Sequence, residues 1–143
     1  MIASAQSLGR TMKMLQQDQL QAWEARFTHF YDAMLRGWAV DLPYPGVKAL
    51  TVVIETQDSE SQTGFSRVTI RVSGINSVRF VDGPKTSYVR MSNGLYALFE
   101  QDQVGLEFGD FVDAPTSLSE LMRSPVHAVG GTLEWDAQPM PNQ

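Results

Sequence analysis

The sequence predicts an α+β fold, with an N-terminal helix packed on a long, curved antiparallel sheet of seven or eight strands and a short helix before the last strand. A partly closed barrel is the variant of the same prediction. Three observations support it. Apolar residues recur every three or four positions between Leu8 and Met34, apolar and polar residues alternate in short runs beyond that point, and the runs are joined by connections too short for parallel crossovers, apart from the one the short helix can make.

The helical stripe is Met12 and Leu15, then Leu20, Trp23, Phe27, Phe30, Tyr31 and Met34. The step of five between Leu15 and Leu20 rotates the stripe, so a break is expected near 16–18 and the firm helix from about Leu20 to Phe30. Trp23 and Phe27 share a face and are expected to pack the helix onto the sheet. Met34, Trp38, Val40 and Leu42 alternate with Gly37, Ala39 and Asp41 as a first strand, which Pro43, Pro45 and Gly46 end. Residues 47–56 form the next strand, with Leu50, Val52 and Ile54 on one face, and the polar stretch 57–64 is a hairpin loop.

The return strand organises the rest. Residues 64–80 read GFSRVTIRVSGINSVRF, in which Val68, Ile70 and Val72 alternate with Arg67, Thr69, Arg71 and Ser73. Gly74, Ile75 and Asn76 interrupt the pattern, and Val78 and Phe80 resume it after a bend or bulge. All five apolar residues are expected on the helix-covered face. After a turn at 82–84, strands at 88–91 and 95–100 are joined by Ser92-Asn93-Gly94, the strongest local hairpin signal, because both central positions of the favoured turn need a positive φ. A tight connection at 101–103 leads into Val104, Leu106 and Phe108. Ser117 with Glu120 three residues on is a capping box opening a short helix, and Ser124-Pro125 closes it. The last strand is 126–136, with Val129, Leu133 and Trp135 on one face, and 137–143 is expected to fray.

A chain of 143 residues with 43% hydrophobic and 19% charged residues is expected to form a single globular domain spanning 1–143. Cysteine is absent, which removes disulfides, thiol chemistry and thiolate metal sites. No segment has the apolar run of a signal peptide or a membrane span, so the expected setting is cytoplasmic, with no membrane partner. The charge is uneven: residues 1–99 hold ten Lys or Arg against eight Asp or Glu, whereas residues 100–143 hold Arg123 alone against eight Asp or Glu. That acidic third repels nucleic acid and suits a basic partner.

The motifs of nucleophilic, phosphate and calcium chemistry are missing: there is no Cys, no Gly-x-Ser-x-Gly, no phosphate-binding glycine loop and no EF-hand loop. His29 and Asp32 are three apart near the helix end, too few ligands for a metal centre, and read as a histidine capping the helix and an aspartate accepting backbone hydrogen bonds. His127 is expected as an exposed edge residue. Glu107 and Asp110 are spaced to flank a sugar, though carboxylates on hairpins are ordinarily solvated. Arg67, Arg71, Arg79 and Arg90 lie along the outer sheet face without interleaved aromatics, so salt links to cross-strand acids are expected rather than nucleic-acid binding. No catalytic group, cofactor or metal is expected.

Phe30-Tyr31-Asp32-Ala33, leading from a helix into a strand and followed by a polar hairpin and VTIRVSGINSVRF, resembles small bacterial proteins built around an aromatic-His-Asp-Ala motif and a "v-x-l-x-F-x-g-V-x-x-l" strand, some of them classed as immunity proteins of polymorphic toxin systems. The resemblance covers the first half of the chain. It departs at Tyr31 and Ser73, where that group more often has histidine and an aromatic residue. It implies a non-enzymatic protein. The expected function is thus a non-catalytic protein-binding domain, in its sharpest form an immunity-type protein that meets a basic toxin through Glu100, Asp102, Glu107, Asp110 and Asp113. The alternative is a small-molecule-binding sheet or barrel whose cavity is lined by Trp38, Tyr88, Tyr96, Phe99 and Trp135.

Overall fold

The structure, a computed structural model, describes residues 12–82 and 89–141. Its strands are β1 (Lys13–Met14), β2 (Ala33–Asp41), β3 (Ala49–Gln57), β4 (Phe65–Ser73), β5 (Ser77–Phe80), β6 (Arg90–Met91), β7 (Leu95–Glu100), β8 (Gln103–Phe108), β9 (Val126–Gly130) and β10 (Thr132–Pro139). Two helices, α1 (Leu20–Arg26) and α2 (Leu118–Leu121), complete the described α+β fold. No helix of the described residues is long and apolar enough to cross a membrane.

Strand pairing is antiparallel throughout the described residues, but the strands form two sheets instead of one long one. Six are ordered β1-β10-β4-β3-β2-β6 and four β5-β9-β8-β7, and neither sheet closes into a barrel. The division comes from a pair of matched bends. β4 pairs with β10 and β5 with β9, so 65–80 and 126–139 run side by side and cross together from one sheet to the other. At the crossing Gly131 N donates to Ser73 O (2.8 Å) and Asn76 N to Val129 O (2.9 Å), which keeps the backbone groups of both bends bonded. The expected last strand is therefore two strands of different sheets.

The period-two faces of β3 and β4 are those read from the sequence. Leu50, Val52, Ile54, Val68, Ile70 and Val72 are all at most 1% exposed. They share one core with Leu95, Val104, Leu106, Phe108, Val126 and Ala128 of the other sheet and with Trp23, Phe27 and Phe30, so the second sheet covers this face together with the helical segment. Phe80 departs from the prediction, at 39% exposed: it lies past the bend, edge-on to Trp38 with ring centroids 5.0 Å apart. In β2 a bulge between Leu35 and Gly37 shifts the alternation, so Ala33 and Leu35 are buried ahead of it and Trp38, not Met34, packs inward beyond it.

The helix is shorter than the apolar stripe suggested. Met12 and Leu15 flank β1, where Lys13 faces Trp135 of β10 and Leu15 N donates to Leu133 O (2.9 Å), and Leu8 lies outside the described residues. The break at 16–18 is present as a 3-10 turn over Gln17–Gln19. α1 then stops at Arg26, and Thr28, His29 and Phe30 follow with φ of 53°, 53° and 58°. This left-handed turn is unfavourable by about 1–2 kcal/mol per residue, offset here by the burial of Phe27 and Phe30, both 0% exposed. Gly94 seats the turn: a Cβ there would collide with the carbonyl oxygen of His29. Trp23, Phe27, Phe30 and Trp135 form an aromatic cluster with centroids 5.0–6.3 Å apart.

The end of the chain also differs from expectation. Ala137, Gln138 and Pro139 pair with Val68, Arg67 and Ser66, and Met140 N donates to Phe65 O (3.0 Å), so strand pairing extends into the segment expected to fray.

Candidate functional site

The five acidic residues expected to form one surface occupy three different environments. Glu107, the centre of the set, is 0% exposed, which corrects its assignment to an exposed hairpin. Alternation turns Val104, Leu106 and Phe108 toward the main core and Gly105 and Glu107 toward the opposite face, as in any exposed hairpin. Here α2 and the segment around it cover that face. Leu118, Leu121 and Val129 form a second small core, with the Leu118 and Leu121 side chains seated over Gly105, where a Cβ would meet Leu118 Cδ2 at 2.7 Å.

The Glu107 carboxylate is fully used inside the protein. It accepts hydrogen bonds from Asp110 N (2.8 Å), Phe111 N (3.2 Å) and the Ser124 hydroxyl (2.8 Å). Burial pushes its pKa above the usual glutamate value, and these hydrogen bonds oppose the rise without cancelling it. Asn93 Nδ2 donates to Gly109 O (3.2 Å) and the Tyr96 hydroxyl to Val112 O (2.6 Å), so residues 109–112 are tied down from three sides. Asp110 is half-buried and Asp113 exposed at the margin of this anchored segment.

Glu100 and Asp102 lie at the other end of β8, about 17 Å or more away at about 3.4 Å per strand residue. Glu100 is exposed, yet its Oε1 accepts from Leu118 N (2.8 Å) at the first turn of α2, beside the Ser117 hydroxyl that accepts from Glu120 N (3.1 Å). The structure thus separates the acidic residues into a pair at the β7–β8 turn, a pair near 110–113 and one buried anchor.

His127 is likewise corrected, from exposed edge to 3% exposed: β9 is an inner strand of its sheet, and α2 with the segment after it covers the face that His127 shares with Glu107. Its Nδ1 donates to Ser124 O (2.7 Å), and its Nε2 is hydrogen-bonded to the Ser77 hydroxyl (2.8 Å). Ser77 and His127 are within the reach of a nucleophile and its base, but the ring is enclosed and both its nitrogens are occupied in joining β5, β9 and the end of α2. His29 lies in the left-handed turn with its ring 5.7 Å from Tyr31, while Asp32 faces Arg90 at 3.6 Å, and among the described residues no three acidic or imidazole groups converge on a point that can hold a metal. Arg67 bonds cross-strand Glu55 (2.9 Å) and Arg71 approaches Asp41 (3.7 Å), the expected salt links.

The proposed cavity aromatics do not share one space. Trp38 packs on Phe108 (5.2 Å) and Phe80, Trp135 belongs to the α1 aromatic cluster, Tyr96 reaches Val112, Phe99 packs partly buried against the core, and Tyr88 lies outside the described residues.

One surface was not anticipated. The β2–β3 tip presents Leu42 (68% exposed), Tyr44 (98%) and Val47 (65%), three large apolar side chains on one tight loop. Sequence signalled the turn through Pro43, Pro45 and Gly46 but not that none of the described residues covers it. The tip shares an end of the molecule with the acidic β7–β8 turn. Gly74 N and Ile75 N donate to Lys48 O (2.9 and 3.3 Å), Gly131 N to Ser73 O, and Val104 faces Gly130 across β8 and β9, so the four connections are joined in sequence by backbone bonds.

No family model, curated protein or solved structure matches this chain.

Proposed function

We propose that this chain is a non-catalytic protein-binding domain, and that it meets a basic protein partner through the end bearing the β2–β3 tip and the β7–β8 turn. The observation that carries this reading is the near-complete exposure of Tyr44 between exposed Leu42 and Val47. A large apolar side chain held in water on a strand-anchored loop gains little until a partner's pocket removes it from solvent, and Tyr is among the residues that carry most of the energy in such contacts. Exposed Asp102 and Glu100 at the same end act as an acidic rim, which steers a cationic partner and speeds encounter more than it adds affinity. The sharpest form of the proposal is an immunity-type protein neutralising a basic toxin. The resemblance of 30–33 and 64–80 and the acidic balance of residues 100–143 support that form.

The test uses the full chain as bait, with Tyr44→Ala and Leu42→Ser as paired variants. A partner of high isoelectric point that is retained by the native chain, lost by Tyr44→Ala and bound more slowly as salt rises supports the proposal. An acidic partner, or one held equally well without Tyr44, overturns it.

A further inference from the structure

We propose that Ser124 is a hydrogen-bond relay that lets buried Glu107 take up a proton without releasing residues 109–112, so that the chain changes charge at this point and keeps its shape. The device is independent of the tip surface. It follows from the number of protons and acceptors around one carboxylate.

Glu107 Oε2 accepts from Asp110 N (2.8 Å) and the Ser124 hydroxyl (2.8 Å), and Oε1 accepts from Phe111 N (3.2 Å). Among the described residues no Lys or Arg pairs with the carboxylate. The titratable groups that face it are Tyr96 and His127, its register partners on β7 and β9, and Asp110 of the anchored segment. On the α2 side Glu120 is turned to Thr116 N (2.6 Å) and Arg123 is exposed. Burial raises the Glu107 pKa, and the charge of Asp110 adds to the rise. A buried negative charge without a cation favours proton uptake. The new proton needs an acceptor, however, and two of the three bonded neighbours are backbone N–H groups that cannot accept.

Ser124 supplies that acceptor. Its hydroxyl carries one proton but has two acceptors in range, Glu107 Oε2 at 2.8 Å and Val126 O at 3.0 Å, while Val126 N donates to its oxygen (3.0 Å). With Glu107 ionised, the hydroxyl proton points to Oε2. With Glu107 protonated, the proton bound at Oε2 points to Ser124 Oγ and the hydroxyl turns to Val126 O. Oγ then donates once and accepts twice, its full capacity, and the Glu107 oxygens still accept from the Asp110 and Phe111 N–H groups. Ser124 is 0% exposed, so the protein and not water provides both arrangements. One proton is added and no hydrogen bond is lost.

Nuclear magnetic resonance of the full chain tests this. The side-chain carboxyl carbon of Glu107 reports its protonation, and hydrogen exchange at the Asp110 and Phe111 amides, measured against the Ile70 amide in the same sample, reports the anchor. Expected is a Glu107 titration above the ordinary glutamate range, with the relative protection of both amides unchanged through it. In Ser124→Ala the protonated acid has no acceptor, so that relative protection should fall at least about tenfold as Glu107 takes up its proton. A thermal melt establishes that Ser124→Ala folds, and the native chain by itself decides the proposal if it does not. Loss of Asp110 or Phe111 protection in step with Glu107 in the native chain, a Glu107 that stays ionised to the onset of acid unfolding, or unchanged protection in folded Ser124→Ala overturns the proposal.

Discussion

Glu107 of β8 and His127 of β9 are register partners across the small sheet, yet Ser124 joins them: its hydroxyl donates to the Glu107 carboxylate and its carbonyl accepts from His127 Nδ1. One serine just past α2 thus satisfies a buried acid with its side chain and a buried imidazole with its backbone. The same carboxylate fixes residues 110 and 111, so the position of the nearby acidic residues depends on a group that never meets solvent.

A buried carboxylate with a raised pKa keeps its proton to higher pH in the folded chain than in the unfolded one. Between the usual glutamate value and the raised one, folding takes up a proton, so stability falls as pH rises through that window. Urea unfolding should therefore show the native chain gaining stability from Glu107 as pH falls toward the ordinary glutamate range, and Glu107→Gln should remove that gain while leaving the share of Glu24, which burial also raises. An identical pH dependence in the two proteins would contradict this account.

Asp58 has the opposite sign. Burial pushes its carboxyl up, but the Arg26 guanidinium, the Ser66 hydroxyl and the Glu60 N–H outweigh burial and hold it below the usual aspartate value. Its contribution is complete above the ordinary aspartate range and is lost as pH falls through the depressed pKa. Asp58→Asn should cost about 1.5–3 kcal/mol near neutral pH and flatten the acid limb of the stability curve. Calorimetry across the acid range checks both.

Ile70 lies at the centre of the shared core, facing Trp135 and Val52 in register, and is 0% exposed. Ile70→Ala should cost about 2–5 kcal/mol, a large part of a total of about 5–15 kcal/mol. A loss under about half a kcal/mol in a denaturant titration would remove Ile70 from the core, since only surface sites fall in that range.

Gly94 combines φ of +77° with direct contact on the left-handed turn at 28–30. Gly94→Ala should destabilise by more than the about 1 kcal/mol of backbone cost alone, because the new Cβ must displace His29. Near-ultraviolet circular dichroism should change with it, as Phe27, Phe30 and Trp23 are held by that turn. An unchanged spectrum and melting temperature would refute the coupling.

The acidic rim is tested most directly at Asp102. Asp102→Lys should slow association with a basic partner and reduce its salt dependence with stability within about 0.5 kcal/mol of the native chain, because an exposed rim charge contributes little to folding. Asp113→Lys, at the far end of β8, should have the smaller effect. Equal effects of the two would detach the rim from the β2–β3 tip.

Local chemistry was enough for much of this fold. Period-two alternation in 49–57 and 65–73 defined the strands and their inward faces, because adjacent strand residues must point to opposite sides. The Ser117–Glu120 box marked its helix start, because it satisfies backbone donors within a few residues. Asn93-Gly94 marked a turn, closed by Gly94 N donating to Met91 O, but not the hairpin expected of it: only Gly94 takes a positive φ, and the flanking strands β6 and β7 pair with β2 and β8 in different sheets. Tertiary structure alone decided the rest. The alternation that placed Val104, Leu106 and Phe108 inward also placed Glu107 outward, and nothing nearby in sequence shows that α2 folds over that outward face. His127 became buried for the same reason, and the paired bends at 74–76 and 130–131 divided one expected sheet into two through bonds between segments more than fifty residues apart. Alternation specifies the side of a strand on which a residue lies; what covers that side depends on contacts distant in sequence, and the chemistry of Glu107, Trp23 and Tyr44 depends on that covering.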